Sequence, residues 1–333
     1  MAAPYIGFEY PPTKVSWLKR DVLLFALSIG CTAKDLHFLY TFENLTIIQE
    51  NHPDFQVFPT YPVILSFKDA TQEILNFHTS DTSGYPIPGL PAFDSTRVVD
   101  GQRILEILHP LPSTSTGRAF TMHKRVLGAW DKGDAGTVLH TEQSLVEDAS
   151  GLCYARIQIW SFFVNQGHWG GERGPAMQSF DPPSGAEPDA SVAYQTSAET
   201  PLLYRLNGDY NPLHATPEPG SKMGFGGVIN HGLIAWNMSA LAVLMTFGGS
   251  QAKNLRLFQA RFAAPVIPGD KLVVEMWRMG GLDEEGWEEV RFVARVEGGK
   301  VALKSGRALV RCVEGRDEKR ETGTIAAPKQ CKL

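Results

Sequence analysis

The chain has 333 residues, too many for one average domain and suited to two of roughly 150 each. Hydrophobic residues make up 43% and charged residues 20%, so a sizeable core can be buried. The net charge of -5 and the pI near 6.0 offer no basic field, which argues against nucleic acid and against an anionic membrane surface as partners. The four cysteines (Cys31, Cys153, Cys312, Cys331) show neither a CxxC pair nor metal-ligand spacing. With no signal-peptide pattern at the start, free thiols in a reducing compartment are expected.

In chain order, Asp21 to Ile29 (DVLLFALSI) is apolar on nearly all sides and is expected to be a buried helix. Phe55 to Phe67 is aromatic and punctuated by proline, an irregular lead into a short helix or strand. From Arg97 to Phe163 the pattern is β. Ala119 to Trp130, Gly136 to Glu147 and Cys153 to Val164 are rich in branched and aromatic residues and separated by turn residues. Residues 167–188 are dense in Gly, Pro and Ser and form the best linker candidate. A loop-rich stretch, Ala190 to Leu206, then leads to a long apolar helix over His231 to Phe247, too short for a membrane span and interrupted by Asn237 and Ser239. Strands are expected at Asn254 to Phe262, Lys271 to Met279, Glu288 to Glu297 and Lys300 to Val313. A helix followed by long antiparallel strands, twice over, indicates two copies of one α+β unit.

Chemistry is expected in Tyr204 to His214 (YRLNGDYNPLH). Pro212 disfavours helix at Asn211, so Asp209 to Pro212 should be a turn able to aim the Asp209 carboxylate and the His214 imidazole into one cavity. Such a pair supplies an acid and a base near neutral pH. A second turn, Gly224 to Gly232 (GFGGVINHG), leads into the apolar helix, whose first amides lack intrahelical partners and could hold a developing oxyanion. The alternative readings are an Asx-turn without chemistry and a histidine that merely packs. A P-loop fails for want of the Lys-Ser/Thr tail, and an EF-hand for want of acidic ligands. Residue types alone leave the catalytic and structural readings evenly balanced.

Tyr204 to His214, taken with Ile229-Asn230-His231-Gly232-Leu233, resembles the signature of the hydratase 2 (MaoC-like) family of R-specific enoyl-CoA hydratases. Arg20 to Leu27, Asp131-Lys132-Gly133 and Ala260 to Gly269 also resemble that family, so the likeness runs from about residue 17 to 313. It implies a double hot-dog fold: an N-terminal repeat over 1–166 that houses the acyl chain, the linker 167–188, a catalytic repeat over 189–314 and a tail over 315–333. It implies Asp209 and His214 as the acid/base pair and the Gly232 amide as oxyanion donor. Asp100, Gly101, Lys132 and Phe262, with Tyr210, Asn211, Pro212 and Leu213 of the loop, would contact the acyl-CoA. No cofactor and no metal are expected, since the CoA thioester is itself the substrate, and the likeness permits a homodimer.

Two departures stand out. Asp100-Gly101 replaces a usual His-Gly, and Gly170-Gly171-Glu172-Arg173 replaces Gly-Gly-Lys-Arg, leaving Lys132, Arg173 and Arg261 to meet the phosphates. The chain finishes on Cys331-Lys332-Leu333, a variant of the tripeptide read by the peroxisomal import receptor, so a peroxisomal location is expected. Rival readings are a biosynthetic dehydratase acting on a polyketide-like or branched acyl-CoA, and a non-catalytic acyl-CoA-binding protein.

Overall fold

The computed structural model describes residues 3–40, 55–74 and 85–313. The tail with Cys331, Lys332 and Leu333 lies outside them. The first half comprises β1 (Thr13–Val15), α1 (Lys19–Ser28), α2 (Leu36–Leu39), α3 (Leu65–Lys68), β2 (Val98–Ile107), β3 (Phe120–Asp131), β4 (Gly136–Glu147) and β5 (Cys153–Val164). The second comprises β6 (Ala190–Gln195), α4 (Thr200–Tyr204), α5 (Pro217–Lys222), α6 (Gly232–Thr246), β7 (Leu255–Phe262), β8 (Lys271–Leu282), β9 (Glu288–Val296) and β10 (Val301–Val310).

The ten strands among the described residues form one sheet in the order β1-β3-β4-β5-β2-β7-β10-β9-β8-β6. Read from its centre outward, each half lists its strands in the same relative sequence, so the second half repeats the first. The two meet where β2 and β7 run antiparallel, with Arg103 opposite Ala260 and Leu105 opposite Phe258. This is the double hot-dog arrangement. The long strands fall close to the sequence expectation. The short outermost strands were not expected: β1 has only three residues, and β6, inside the stretch read as loop-rich, does alternate, with Ala190, Val192 and Tyr194 on the core side.

α6 explains its own composition. Every residue from Leu233 to Leu244 is buried, because the sheet curls around the helix on all sides. Trp236 meets Phe258 edge to face at 4.6 Å, and Phe258 stacks on Phe292 at 4.8 Å. The two polar residues inside it place their donors locally, while the buried Asn237 Oδ1 has no partner among the described residues. Asn237 donates to the Leu233 carbonyl (2.8 Å) and to the Tyr204 hydroxyl (3.1 Å), and the Ser239 hydroxyl donates to the Ala235 carbonyl (2.8 Å).

A long central helix in each repeat was the expectation, and the first repeat differs. Among the described residues its corresponding segment is a 3-10 turn, Tyr61–Ile64, continued by the four residues of α3. Pro59 and Pro62 remove amide donors at its start, and Asp69 ends it with φ of 53°. Tyr61, Val63, Ile64 and Leu65 are nonetheless fully buried, and Tyr61 packs edge-on to Phe25 (5.3 Å) and Trp17 (6.2 Å).

Residues 167–188 form neither helix nor strand, and they are tied to the sheet. The Trp277 indole donates to the Ala186 carbonyl (3.0 Å), Arg291 donates to the Asp181 carbonyl (2.8 Å), and Arg307 lies over the Phe180 ring (5.0 Å). At the start of this stretch the Asp131 carboxylate accepts from the Gly133, His168 and Gly170 amides, each at 2.9 Å. Those amide donors hold its pKa down to about 2. Among the described residues no helix is long and apolar enough to cross a membrane.

Candidate active site

Gly208 begins the functional loop with φ of 121°, and its α-carbon packs against the backbone of Lys68 in the first repeat. From there the chain turns through Asp209. The Asn211 amide donates to Asp209 Oδ1 (3.3 Å), and Asn211 Oδ1 accepts from the Leu213 amide (3.0 Å), capping the 3-10 turn Pro212–His214. The turn expected from Pro212 is present, and it buries Leu213 and His214 while leaving Asp209 half-buried.

His214 Nδ1 lies 2.9 Å from the Ile229 carbonyl. A carbonyl can only accept, so Nδ1 carries the proton and Nε2 of the neutral ring keeps a lone pair. Burial pushes the His214 pKa below its ordinary 6.5, against the smaller upward pull of Asp209. His231, the residue before α6, stacks on His214 with ring centroids 3.7 Å apart. Its Nε2 donates to the Asp209 carbonyl (3.1 Å), and burial followed by the adjacent His214 holds its pKa well below 6.5. Asp209, His214 and His231 each place one ligand atom within 4.8 Å of the others. Sequence alone assigns His231 no role. Its place at the helix start, one residue before Gly232, was the available signal.

Gly232 opens α6 and is exposed, while the residues on either side of it are buried. Its amide belongs to the first helical turn, which has no intrahelical acceptor. A side chain there would collide with Phe262, whose Cδ1 would stand 2.9 Å from a β-carbon. Gly232 and Phe262, expected together, are therefore in contact. The Asp100 carboxylate is near enough to raise the His214 pKa slightly. It binds Arg103 at 3.2 Å, beside the bulge that Gly101 makes in β2.

Other expected contacts have partners of their own. Lys132, on the β3–β4 turn, donates to the Arg173 carbonyl and sits 6.0 Å from the Trp130 ring. Arg261 is engaged by Gln102 (2.8 Å) and the Gln178 carbonyl (2.5 Å), and Tyr210 lies under the Arg205 guanidinium (5.2 Å). Beyond the expected set, Tyr204 is fully buried between Asn237 and His231, its ring 5.0 Å from the latter.

The expected site residues fall inside two matched family profiles: an MFE-2 hydratase 2 N-terminal domain over residues 16–165 and a MaoC like domain over 179–300. A protein of Ajellomyces capsulatus named as a probable dehydratase is 49% identical, over 92% of this chain and 81% of its own length. The chain belongs to the MaoC-like hydratase 2 family. It is accordingly a hydro-lyase of the enoyl-CoA hydratase 2 type. The peroxisomal multifunctional enzyme type 2 of Drosophila melanogaster is 32% identical over 78% of this chain, which spans only 41% of that enzyme. Among solved structures, a MaoC-like dehydratase from Phytophthora capsici superposes with a TM-score of 0.78 at 29% identity, covering 92% of this chain and 96% of that one. A Mycobacterium tuberculosis protein described as having a double hot-dog fold superposes at 0.53 with 12% identity, over 91% of this chain and 95% of that one.

The two depressed histidines give this hydratase 2 relative a defined pH response. In the unfolded chain each would titrate near 6.5, whereas the folded pKa is lower. Between those values the unfolded state binds the proton and the folded state does not. Stability from this source is full above about pH 6.5 and is lost as the pH falls below it. Urea unfolding at about pH 7.5 and about pH 5.5 checks this. A lower midpoint at the acid pH is expected, with a smaller drop in His231→Gln.

Proposed function

We propose that this chain is an R-specific 2-enoyl-CoA hydratase, equally a (3R)-3-hydroxyacyl-CoA dehydratase, acting in peroxisomal fatty-acid β-oxidation. The observation that carries the proposal is the convergence of the Asp209 carboxylate with the rings of His214 and His231, each offering an atom within 4.8 Å of the others, where His231 leads into the exposed Gly232 at the start of α6. Two acceptors so placed, Asp209 and His214, take the two hydrogens of one water molecule and turn its oxygen toward C3 of a bound enoyl thioester. One acceptor removes a proton as the water oxygen bonds to C3. The π electrons move onto the thioester oxygen, where the Gly232 amide meets the charge. The enolate then collapses, and the proton just removed is delivered to C2. No oxidant, reductant or second substrate is needed. Dehydration is the same path reversed.

His231 is assigned a positioning role, fixing the Asp209 backbone through Nε2 and the His214 ring by stacking. The Asp209-His214-His231 set also has the composition of a metal site. Acid/base chemistry predicts that prolonged EDTA treatment followed by dialysis leaves hydration unchanged, and restoration by added zinc after a loss would contradict it. Loss of enoyl absorbance with trans-2-enoyl-CoA of several chain lengths tests the activity itself; no turnover at any length contradicts it.

The name of the Drosophila relative supports the peroxisomal assignment, together with Cys331-Lys332-Leu333. A fluorescent fusion lacking those three residues is expected to become cytosolic, and an unchanged distribution would contradict import by this route. A biosynthetic dehydratase is the second reading. The name of the Ajellomyces relative, a probable dehydratase, favours the dehydration direction of that reading.

A further inference from the structure

On a regular strand, residues three apart point to opposite faces. Asp100 and Arg103 nevertheless pair, with Asp100 Oδ1 3.2 Å from Nη2 and 3.4 Å from Nε. The reason is the bulge at Gly101, an extra residue in β2 that re-aims Asp100. A β-carbon at Gly101 would stand 2.9 Å from the Trp160 carbonyl oxygen, so the bulge excludes a side chain there. Arg103 shares the inner face of the sheet with buried Leu105, and its guanidinium lies 5.6 Å from the Phe67 ring in α3. Across the β2–β7 seam it faces Ala260, and two residues further along β7 Phe262 packs on Gly232. Both charges reach the site: Asp100 acts on His214, and Asp100 and Arg103 act on Tyr204.

The Arg103 side chain is only 4% exposed, and Nη1 has no hydrogen-bond partner among the described residues. A buried guanidinium donor left unpaired is costly. The nearby carboxylate already offsets the charge, so what remains open is a directional N–H donor rather than a free cation. We propose that Arg103, held by Asp100, is a specificity-determining residue that takes an oxygen acceptor on the acyl chain of the thioester. The preferred substrate is then an oxygenated acyl-CoA and not a plain hydrocarbon one. This rests on the reading of the site as one for acyl thioesters. Asp100, the departure from the usual His-Gly, belongs to this device: it fixes the Nε and Nη2 edge and leaves Nη1 directed away from itself.

Calorimetry on the full chain tests it without turnover. Octanoyl-CoA is compared with the set of isomeric oxo-octanoyl-CoAs that carry a keto oxygen at successive carbons beyond C3. The wild type should bind one isomer about tenfold more tightly than octanoyl-CoA. Arg103→Met should bring that ratio to about one, and Arg103→Lys should retain part of it. A wild type that binds every isomer as it binds octanoyl-CoA, or binds none, overturns the proposal, as does an unchanged ratio in Arg103→Met. Hydration of plain enoyl-CoA without keto preference would sink this inference and leave the proposed activity standing. A keto preference without any hydration would do the reverse.

Discussion

Asp209→Asn is expected to lower kcat for enoyl-CoA hydration by about 100-fold or more, with the fold intact. The amide keeps the size of the carboxylate but loses the charge and basicity, and it presents two donors where an acceptor is needed. Asp209 is half-buried on a turn whose geometry is set by Asn211 and by His231, so little structural loss is expected from the exchange. His214→Gln should cost a comparable factor. Because the two groups act on the same water molecule, the double variant should fall little below the poorer single one. Single-turnover rates checked against thermal melts separate lost chemistry from lost folding. A double variant that multiplies the two losses would mean that Asp209 and His214 act in separate steps.

Gly208→Ala is expected to damage activity and stability together, although Gly208 contacts no reacting atom. Its φ of 121° is strained for any side chain. The added β-carbon would also stand 2.8 Å from both the Lys68 nitrogen and α-carbon, and backbone atoms cannot move aside as a flexible side-chain end could. Lys68 is itself fixed, its Nζ donating to the Ser16 (3.1 Å) and Thr71 (2.9 Å) carbonyls and lying 3.3 Å from Asp21. The loop must therefore give way, and it carries Asp209. A stability loss of about 1–3 kcal/mol is expected, with at least a tenfold fall in kcat/KM from a shift of the carboxylate. Wild-type kinetics in this variant would show that the contact with the first repeat does not position the loop.

The functional loop was legible because its chemistry is local. Pro212 and Gly208 set the turn, and Asp209 and His214 lie five residues apart on it. α6 was legible because total burial writes itself as an unbroken apolar stretch, and the long strands because each is bounded by turn residues. What was not legible depends on distant parts of the chain. His231 acquires its role only when the turn carrying Asp209 folds over the start of α6. The pairing of Asp100 with Arg103 needs the bulge at Gly101, which lies against the carbonyl of Trp160, a residue nearly sixty positions later. Arg261, expected to meet phosphates, is held by Gln102 and Gln178 from elements that sequence spacing cannot bring beside it. The short helical segment of the first repeat was half visible in its prolines, while the likeness of the repeats suggested a longer helix.

Hydration of trans-2-enoyl-CoA with chiral analysis of the product tests the central claim most directly. Water delivered to C3 by Asp209 and His214, with the thioester oxygen on the Gly232 amide, is expected to give the (3R)-3-hydroxyacyl-CoA. An S product, or no product at any chain length, would contradict the account.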